Sequence, residues 1–171
     1  MAEDLDLLTW QKEQTDELII NSLRTMKTIR FSIWIYLCKK LNNYHMESIS
    51  IEGTSKTPTV NLDPQAGVIE IKGRSIPENS IEFYRPLVDW LDSYAESPQK
   101  KTTVNIQLEY FNTSSSKCIL DIFKKLESIK KARNEVVINW YYEEDDEDML
   151  EAGEDYESII RVPFKMIEIV E

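Results

Sequence analysis

The chain has 171 residues, 42 % hydrophobic and 30 % charged, which is enough apolar material for one domain of ordinary size with an appendage. Twenty Lys and Arg stand against 31 Asp and Glu, a formal charge of −11. That balance argues against nucleic acid or an anionic membrane surface as partner, because the phosphate field repels most of such a protein.

The charge divides the chain. Residues 1–45 hold six basic and six acidic side chains, whereas residues 46–171 hold 14 and 25, with all four glycines and all six prolines. The chain therefore reads as an extension, Met1–His45, followed by a domain, Met46–Glu171. From Asp4 to Leu41 the extension contains neither Gly nor Pro and suits a helix, with Leu5, Leu8, Trp10, Leu18, Ile19, Leu23 and Met26 as a loose apolar stripe. Its most apolar run, Phe31–Cys38, spans eight residues. A membrane helix needs about 20, so no integral membrane segment is expected. The run also makes a poor secretory signal. Three readings of the extension stand side by side: a helix packed on the domain or on a second copy, a weak membrane-surface helix, or a misplaced start with Met46 as initiator. Cys38 and the single histidine, His45, lie here and are assigned no chemistry. The two cysteines, Cys38 and Cys118, make no disulfide framework and lack metal-ligand spacing, so a reducing cytoplasm suits the chain.

In the domain, Ser48–Glu52 alternates as a strand with Ile49 and Ile51 on one face. Thr57–Leu62 is extended, since Pro58 disfavours a helix. Asp63-Pro64-Gln65-Ala66-Gly67 is a turn, and Val68–Gly73 alternates again, so a hairpin is expected. Pro77-Glu78-Asn79-Ser80 opens a helix. Ile81, Tyr84, Leu87, Val88, Leu91 and Tyr94 form its apolar face, broadened by Phe83 and Trp90, and Pro86 either kinks it or starts a second helix. Thr102–Phe111 is a strand with Val104, Ile106 and Leu108 inward. Asn112–Ser116 is a polar connector. The next helix carries Ile119, Ile122, Phe123, Leu126 and Ile129 on one stripe, with Lys124, Lys125, Lys130 and Lys131 outside. Val136–Tyr142 is a strand rich in β-branched and aromatic residues. Glu143–Asp155 is acidic with a short helix, and Pro163–Val170 is a last strand. The order predicts an α/β domain with a mixed sheet. Its two main helices share one face if the intervening strands are parallel and progress in one direction.

The stretch Tyr110-Phe111-Asn112-Thr113-Ser114-Ser115-Ser116-Lys117 ends a strand and sets four hydroxyls at a helix start. A helix start presents free N–H groups and partial positive charge, good ground for a phosphorylated hydroxyl. It is equally ordinary capping sequence, and on residue types alone capping is the simpler account. Asn112-Thr113-Ser114 also fits a glycosylation sequon, discounted without a secretory signal. Cys118 follows on the first turn; with no histidine beside it, a packed and inert thiol is expected.

Three stretches in order, Pro77–Leu87, Tyr110–Lys117 and Trp140–Met149, resemble the SiaC family of bacterial regulatory phosphoproteins. The resemblance covers Met46 to the C-terminus. It implies a STAS-like fold, as in anti-anti-sigma factors, and partner switching by a cognate serine/threonine kinase and a PP2C-type phosphatase. It implies that Thr113 is the phosphoacceptor. It further implies that the unphosphorylated protein binds and activates an effector such as a diguanylate cyclase in cyclic di-GMP signalling. Tyr110, Phe111, Asn112, Ser114, Ser115, Lys117, Asp145 and Asp146, which lie in the matching motifs, are the expected partner-binding residues.

The acidic run Glu143–Asp148 lacks the spaced Asp and central Gly of a calcium loop, so no metal and no cofactor is expected. A solvated helix start accounts for it, and partner docking stays open. The leading expectation is a cytoplasmic, phosphorylation-switched binding module with no enzymatic activity. The alternatives are an unswitched STAS-like interaction module and a small enzyme working with carboxylates alone.

Overall fold

The computed structural model describes residues 46–131 and 134–170. The expectations for Met1–His45, including its helix, Cys38 and His45, lie outside the described residues. The elements are β1 (Ile49–Ile51), β2 (Thr59–Asp63), β3 (Val68–Ser75), α1 (Ser80–Ala95), β4 (Lys101–Phe111), α2 (Thr113–Lys131), β5 (Glu135–Glu143), α3 (Glu147–Ile159) and β6 (Phe164–Ile169).

The expected hairpin is β2–β3. Asp63 Oδ1 accepts the backbone N–H groups of Gln65 at 2.8 Å and Ala66 at 2.9 Å, closing the turn from its first residue. Gly67 completes it at φ 67°, where a Cβ would stand 2.5 Å from the Lys101 carbonyl oxygen. Only glycine fits there.

The six strands lie in sequence order. Strands β1, β2 and β3 are antiparallel, whereas β3 through β6 are parallel. Each parallel step encloses one helix, so right-handed crossovers place α1, α2 and α3 on the same face. The condition set for the two main helices therefore holds, and the acidic helix joins them.

Alternation makes the two faces unlike. Val60, Leu62, Ile69, Ile71, Val104, Ile106, Leu108, Val136, Ile138 and Trp140 are all buried and face the helices. On the opposite face the register lines up Ser50, Asn61, Glu70, Asn105 and Asn139 across five strands. Ser50 donates to Asn61 Oδ1 at 2.8 Å, Asn105 donates to Glu70 Oε1 at 3.3 Å and Asn139 donates to Asn105 Oδ1 at 2.8 Å. Hydroxyl, amide and carboxylate side chains thus pair across strands where the sheet meets water.

Helix α2 buries Ile119, Ile122, Phe123, Leu126 and Ile129, the stripe read from its spacing. Helix α1 differs from expectation in one residue. Its buried positions are Ser80, Tyr84, Leu87, Trp90, Leu91 and Tyr94, while Ile81 is 68 % exposed. Stepping back from Tyr84 by three or by four residues both stay near one helix face, and the structure takes the step of four, to Ser80. The helix runs through Pro86, which lies on its exposed side. The proline removes one backbone donor without dividing the element.

Helix α3 is held by Trp140. Its indole N–H donates to the Met149 carbonyl at 2.9 Å, and its ring packs on Tyr156 and Phe123. Gly153 brings the α3 backbone onto that ring: a Cβ there would meet Trp140 Cδ1 at 2.6 Å and Met166 Sδ at 2.9 Å.

Candidate functional site

Parallel strands carry their C-terminal ends to one edge, so the β3–α1, β4–α2 and β5–α3 turns converge there. Of the three stretches singled out in the sequence, Tyr110–Lys117 and Trp140–Met149 each span one of these turns, and Pro77–Leu87 begins inside the third. Ligand and partner chemistry in open α/β sheets concentrates at such an edge.

The expected connector after β4 shrinks to one residue, and this corrects the sequence reading. Asn112 alone separates Phe111 from Thr113, the first residue of α2. Its side-chain oxygen accepts the Ser115 N–H at 2.8 Å and its carbonyl accepts the Ser116 N–H at 2.9 Å. Asn112 is therefore the cap, and all four hydroxyls lie in the first turn. An Asn able to satisfy the N–H of the third helical residue removes any need for a longer connector.

The helix sorts the four hydroxyls by direction. Thr113 and Ser114 are exposed. Ser115 is fully buried: its hydroxyl accepts from Ser75 Oγ at 2.9 Å and lies 3.3 Å from Ser80 Oγ. Ser75 Oγ also meets Tyr84 OH at 2.7 Å. Four hydroxyls from β3, α1 and α2 thus form one buried cluster that ties the α2 start to its neighbours. Burial raises the Tyr84 phenol well above its usual range, against the pull of its bond to Ser75, so it stays a neutral donor. Ser116 points to the other side, where its Oγ meets Tyr156 OH on α3 at 2.8 Å. Burial likewise pushes Tyr156 up to about 12.

The remaining residues of the expected set divide the same way. Tyr110 is 52 % exposed, and Lys117 and Asp145 are exposed. Phe111 is half-buried, with its ring edge-on to Trp140. Asp146 is the N-cap of α3, accepting the Met149 N–H at 2.9 Å. Ser115 is placed inside, where it positions the turn and offers a partner no surface. Cys118 is buried, with burial first and Asp121 second raising its thiol pKa. Among the described residues no group of His, Cys, Asp and Glu side chains could hold a metal ion, and no helix is long and apolar enough to cross a membrane.

Tyr110 owes its exposure to a β-bulge. Gly73 pairs with Leu108 but Arg74 pairs with Tyr110, leaving Glu109 as an extra residue in β4. Strict alternation from Val104 would turn Tyr110 toward the helices; the extra residue turns it out and Phe111 in.

Sequence reasoning missed Ser75, Ser80, Tyr84, Ser116 and Tyr156 as site-building residues. A signal for one existed: Ser75 continues the inward alternation of Ile69 and Ile71, and an inward hydroxyl at a strand end needs a partner. The tie between Ser116 and Tyr156 left no local trace, because 40 positions separate them.

Comparison with known proteins completes the description. Residues 51–169 match the family model described as "SiaC family regulatory phosphoprotein". An uncharacterized protein of Pseudomonas aeruginosa (strain UCBPP-PA14) is 33 % identical over 119 residues, spanning 70 % of this chain and 94 % of its own length. The crystal structure of apo-SiaC from Pseudomonas aeruginosa is 32 % identical with a TM-score of 0.66, covering 71 % of this chain and 99 % of that one. A crystal structure of the diguanylate cyclase SiaD in complex with its activator SiaC, from the same organism, contains a chain 31 % identical with a TM-score of 0.67, at 71 % and 99 % coverage.

Proposed function

The chain belongs to the SiaC family of regulatory phosphoproteins, and from that premise we propose that it is a phosphorylation-switched binding module acting through Thr113. A serine/threonine kinase phosphorylates Thr113, a PP2C-type phosphatase reverses it, and the unphosphorylated form binds and activates a diguanylate cyclase. The unit doing this is Met46–Glu171, working in the cytoplasm as a binding protein without chemistry of its own. The likeness to SiaC, whose complex with the cyclase SiaD is known, supports the effector class.

The observation that carries the switch is the sorting of hydroxyls. Of the four at the α2 start, Ser115 and Ser116 are engaged inside and Thr113 and Ser114 face solvent. Electrostatics favours the same turn. Helices α1 and α3 carry acids in their first turns, whereas α2 carries none. A phosphate, roughly −1.5 to −2 in charge, meets the helix dipole there without an acidic competitor in that turn. Inside the domain the modification is tolerated. Against a partner surface shaped for a neutral hydroxyl it brings desolvation cost and repulsion.

Binding of Thr113→Ala and Thr113→Asp to the cyclase effector tests this. The alanine variant keeps the effector and the aspartate variant loses it; equal binding by both refutes the switch. Mass spectrometry on protein from the native host supplies the second arm. Absence of phosphate on Thr113 in every growth condition, with the phosphatase deleted, would leave an unswitched module in which Asn112–Ser115 is simply a helix cap.

A further inference from the structure

The turn that carries Thr113 is pinned from two sides, and on each side one residue reaches both of its ends. On the α1 side that residue is Ser75. Its carbonyl accepts the Asn112 N–H at 3.1 Å, and its hydroxyl donates to Ser115 Oγ at 2.9 Å. On the α3 side it is Tyr156, only 6 % exposed. Its ring centre lies 6.4 Å from that of Phe111, the last residue of β4, and its hydroxyl reaches Ser116 in the first turn of α2. That second contact is double. Tyr156 OH donates to the Ser116 carbonyl at 3.2 Å, which leaves Ser116 Oγ to donate to the phenol oxygen at 2.8 Å. Phe123 at 5.2 Å and Trp140 at 5.5 Å, centre to centre, close the ring in and fix where the phenol stands.

This grip bears on the acceptor. Thr113 and Ser116 are three residues apart and share one face of α2. Tyr156 therefore holds the residue one turn beneath Thr113. Ser114, the other exposed hydroxyl, lies about 100° away around the same turn. The rotation of that turn decides which of the two hydroxyls points in a given direction. The first N–H groups of a helix have no intrahelical partner, so contacts from outside the helix set that rotation.

We propose that Tyr156 is a positioning residue that selects Thr113 over Ser114 as phosphoacceptor, by holding the first turn of α2 in one rotation with Ser75 as the opposing support. This rests on the phosphorylation reading above and deepens it. In the transfer, Thr113 Oγ bonds to the γ-phosphorus of the nucleoside triphosphate held by the kinase while the bridge to the β-phosphate breaks. The nucleoside diphosphate leaves, and the hydroxyl proton passes to the kinase's base. In-line attack needs the oxygen aligned and about 3–3.5 Å from phosphorus, and a displacement of about 1 Å can cost about 10²-fold in rate. Tyr156 takes no part in the transfer itself; it acts through Ser116.

The test adds purified full-length chain, made recombinantly, to an extract of the native host supplied with ATP. Phosphate on Thr113 and on Ser114 is followed by peptide mass spectrometry. The variants are Tyr156→Phe, Ser116→Ala, the two combined, and Tyr94→Phe. Tyr94→Phe is the control, because it also deletes a buried phenol contact, 3.0 Å to Thr102 Oγ1 at the start of β4, on the opposite edge of the sheet. Tyr156→Phe keeps the ring and is expected to slow phosphorylation of Thr113 about tenfold at saturating chain and to raise the share on Ser114. Ser116→Ala shifts the share the same way, and the combined variant goes no further than Tyr156→Phe. Loss of stability alone would not move the ratio of the two sites. A wild-type rate and ratio in Tyr156→Phe would refute the positioning role and leave Thr113 as acceptor. The same shift in Tyr94→Phe would refute it too, since general destabilisation would then be the cause. No phosphate on Thr113 of the wild type, in extracts from every growth phase, would overturn the acceptor reading and the positioning role with it.

Discussion

Replacing Gly153 by Ala sets two effects of opposite sign against each other. In an isolated helix the change stabilises by roughly 1 kcal/mol, because glycine loses more backbone entropy than alanine. On α3 the new Cβ would stand 2.6 Å from Trp140 Cδ1, 2.8 Å from Trp140 Nε1 and 2.9 Å from Met166 Sδ. Carbon contacts settle near 3.5–4.0 Å, so α3 must retreat by roughly 1 Å. Trp140 is 0 % exposed and packed against Phe111, Phe123 and Tyr156, so the ring cannot retreat instead. Overpacking of this kind costs about 1–3 kcal/mol. Stretching the 2.9 Å bond from Trp140 Nε1 to the Met149 carbonyl adds about 1 kcal/mol. The losses exceed the helix gain, and a net destabilisation of about 1–3 kcal/mol is expected. Urea unfolding of the full chain, followed by far-UV circular dichroism at constant slope, reads this directly. A midpoint equal to or above wild type would refute the close approach, since helix propensity would then have won.

Two further outcomes follow from the site. Asn112→Ala removes the acceptor for the Ser115 N–H and should cost about 1 kcal/mol, seen as a lower unfolding midpoint; no loss would mean that the cap contributes nothing to the acceptor turn. Tyr156 keeps its proton in the fold up to about 12, against 10.0 for a free phenol. The unfolded chain therefore holds fewer protons between those values, and stability is complete below pH 10 and falls as pH rises through the window. Tyr156→Phe should flatten that fall by up to about 1.4 kcal/mol per pH unit, checked by urea titrations on either side of pH 10. An unchanged slope would show that this phenol is not what the alkaline loss reports.

Much of the local order was legible in the residues. The stripe Ile119, Ile122, Phe123, Leu126 and Ile129 repeats at helical period and is buried as read. The turn Asp63–Gly67 combines an Asp acceptor with a glycine at positive φ, and it closes the hairpin. The three motif stretches were visible too: Tyr110–Lys117 and Trp140–Met149 each join a strand signature to a helix-start signature within about ten residues, and Pro77–Leu87 opens on helix-start chemistry. Each of these signals is carried by neighbours in the chain, so the chain alone determined them.

Other features answer to contacts that no short window contains. Ile81 and Ser80 are both acceptable to the α1 periodicity; the hydroxyl of Ser115, from the next crossover, decides that Ser80 goes inside. The bulge at Glu109 depends on how β4 pairs with β3, and it turns Tyr110 from a core position to the surface. Four consecutive hydroxyls look alike in the sequence. Only the packing of β3, α1 and α3 around the α2 start makes Ser115 and Ser116 structural and leaves Thr113 and Ser114 to solvent. Periodicity and turn chemistry are settled by backbone geometry over a few residues, whereas strand order, bulge register and side-chain direction at an edge are settled by surfaces that meet only after the chain has crossed over and closed its sheet.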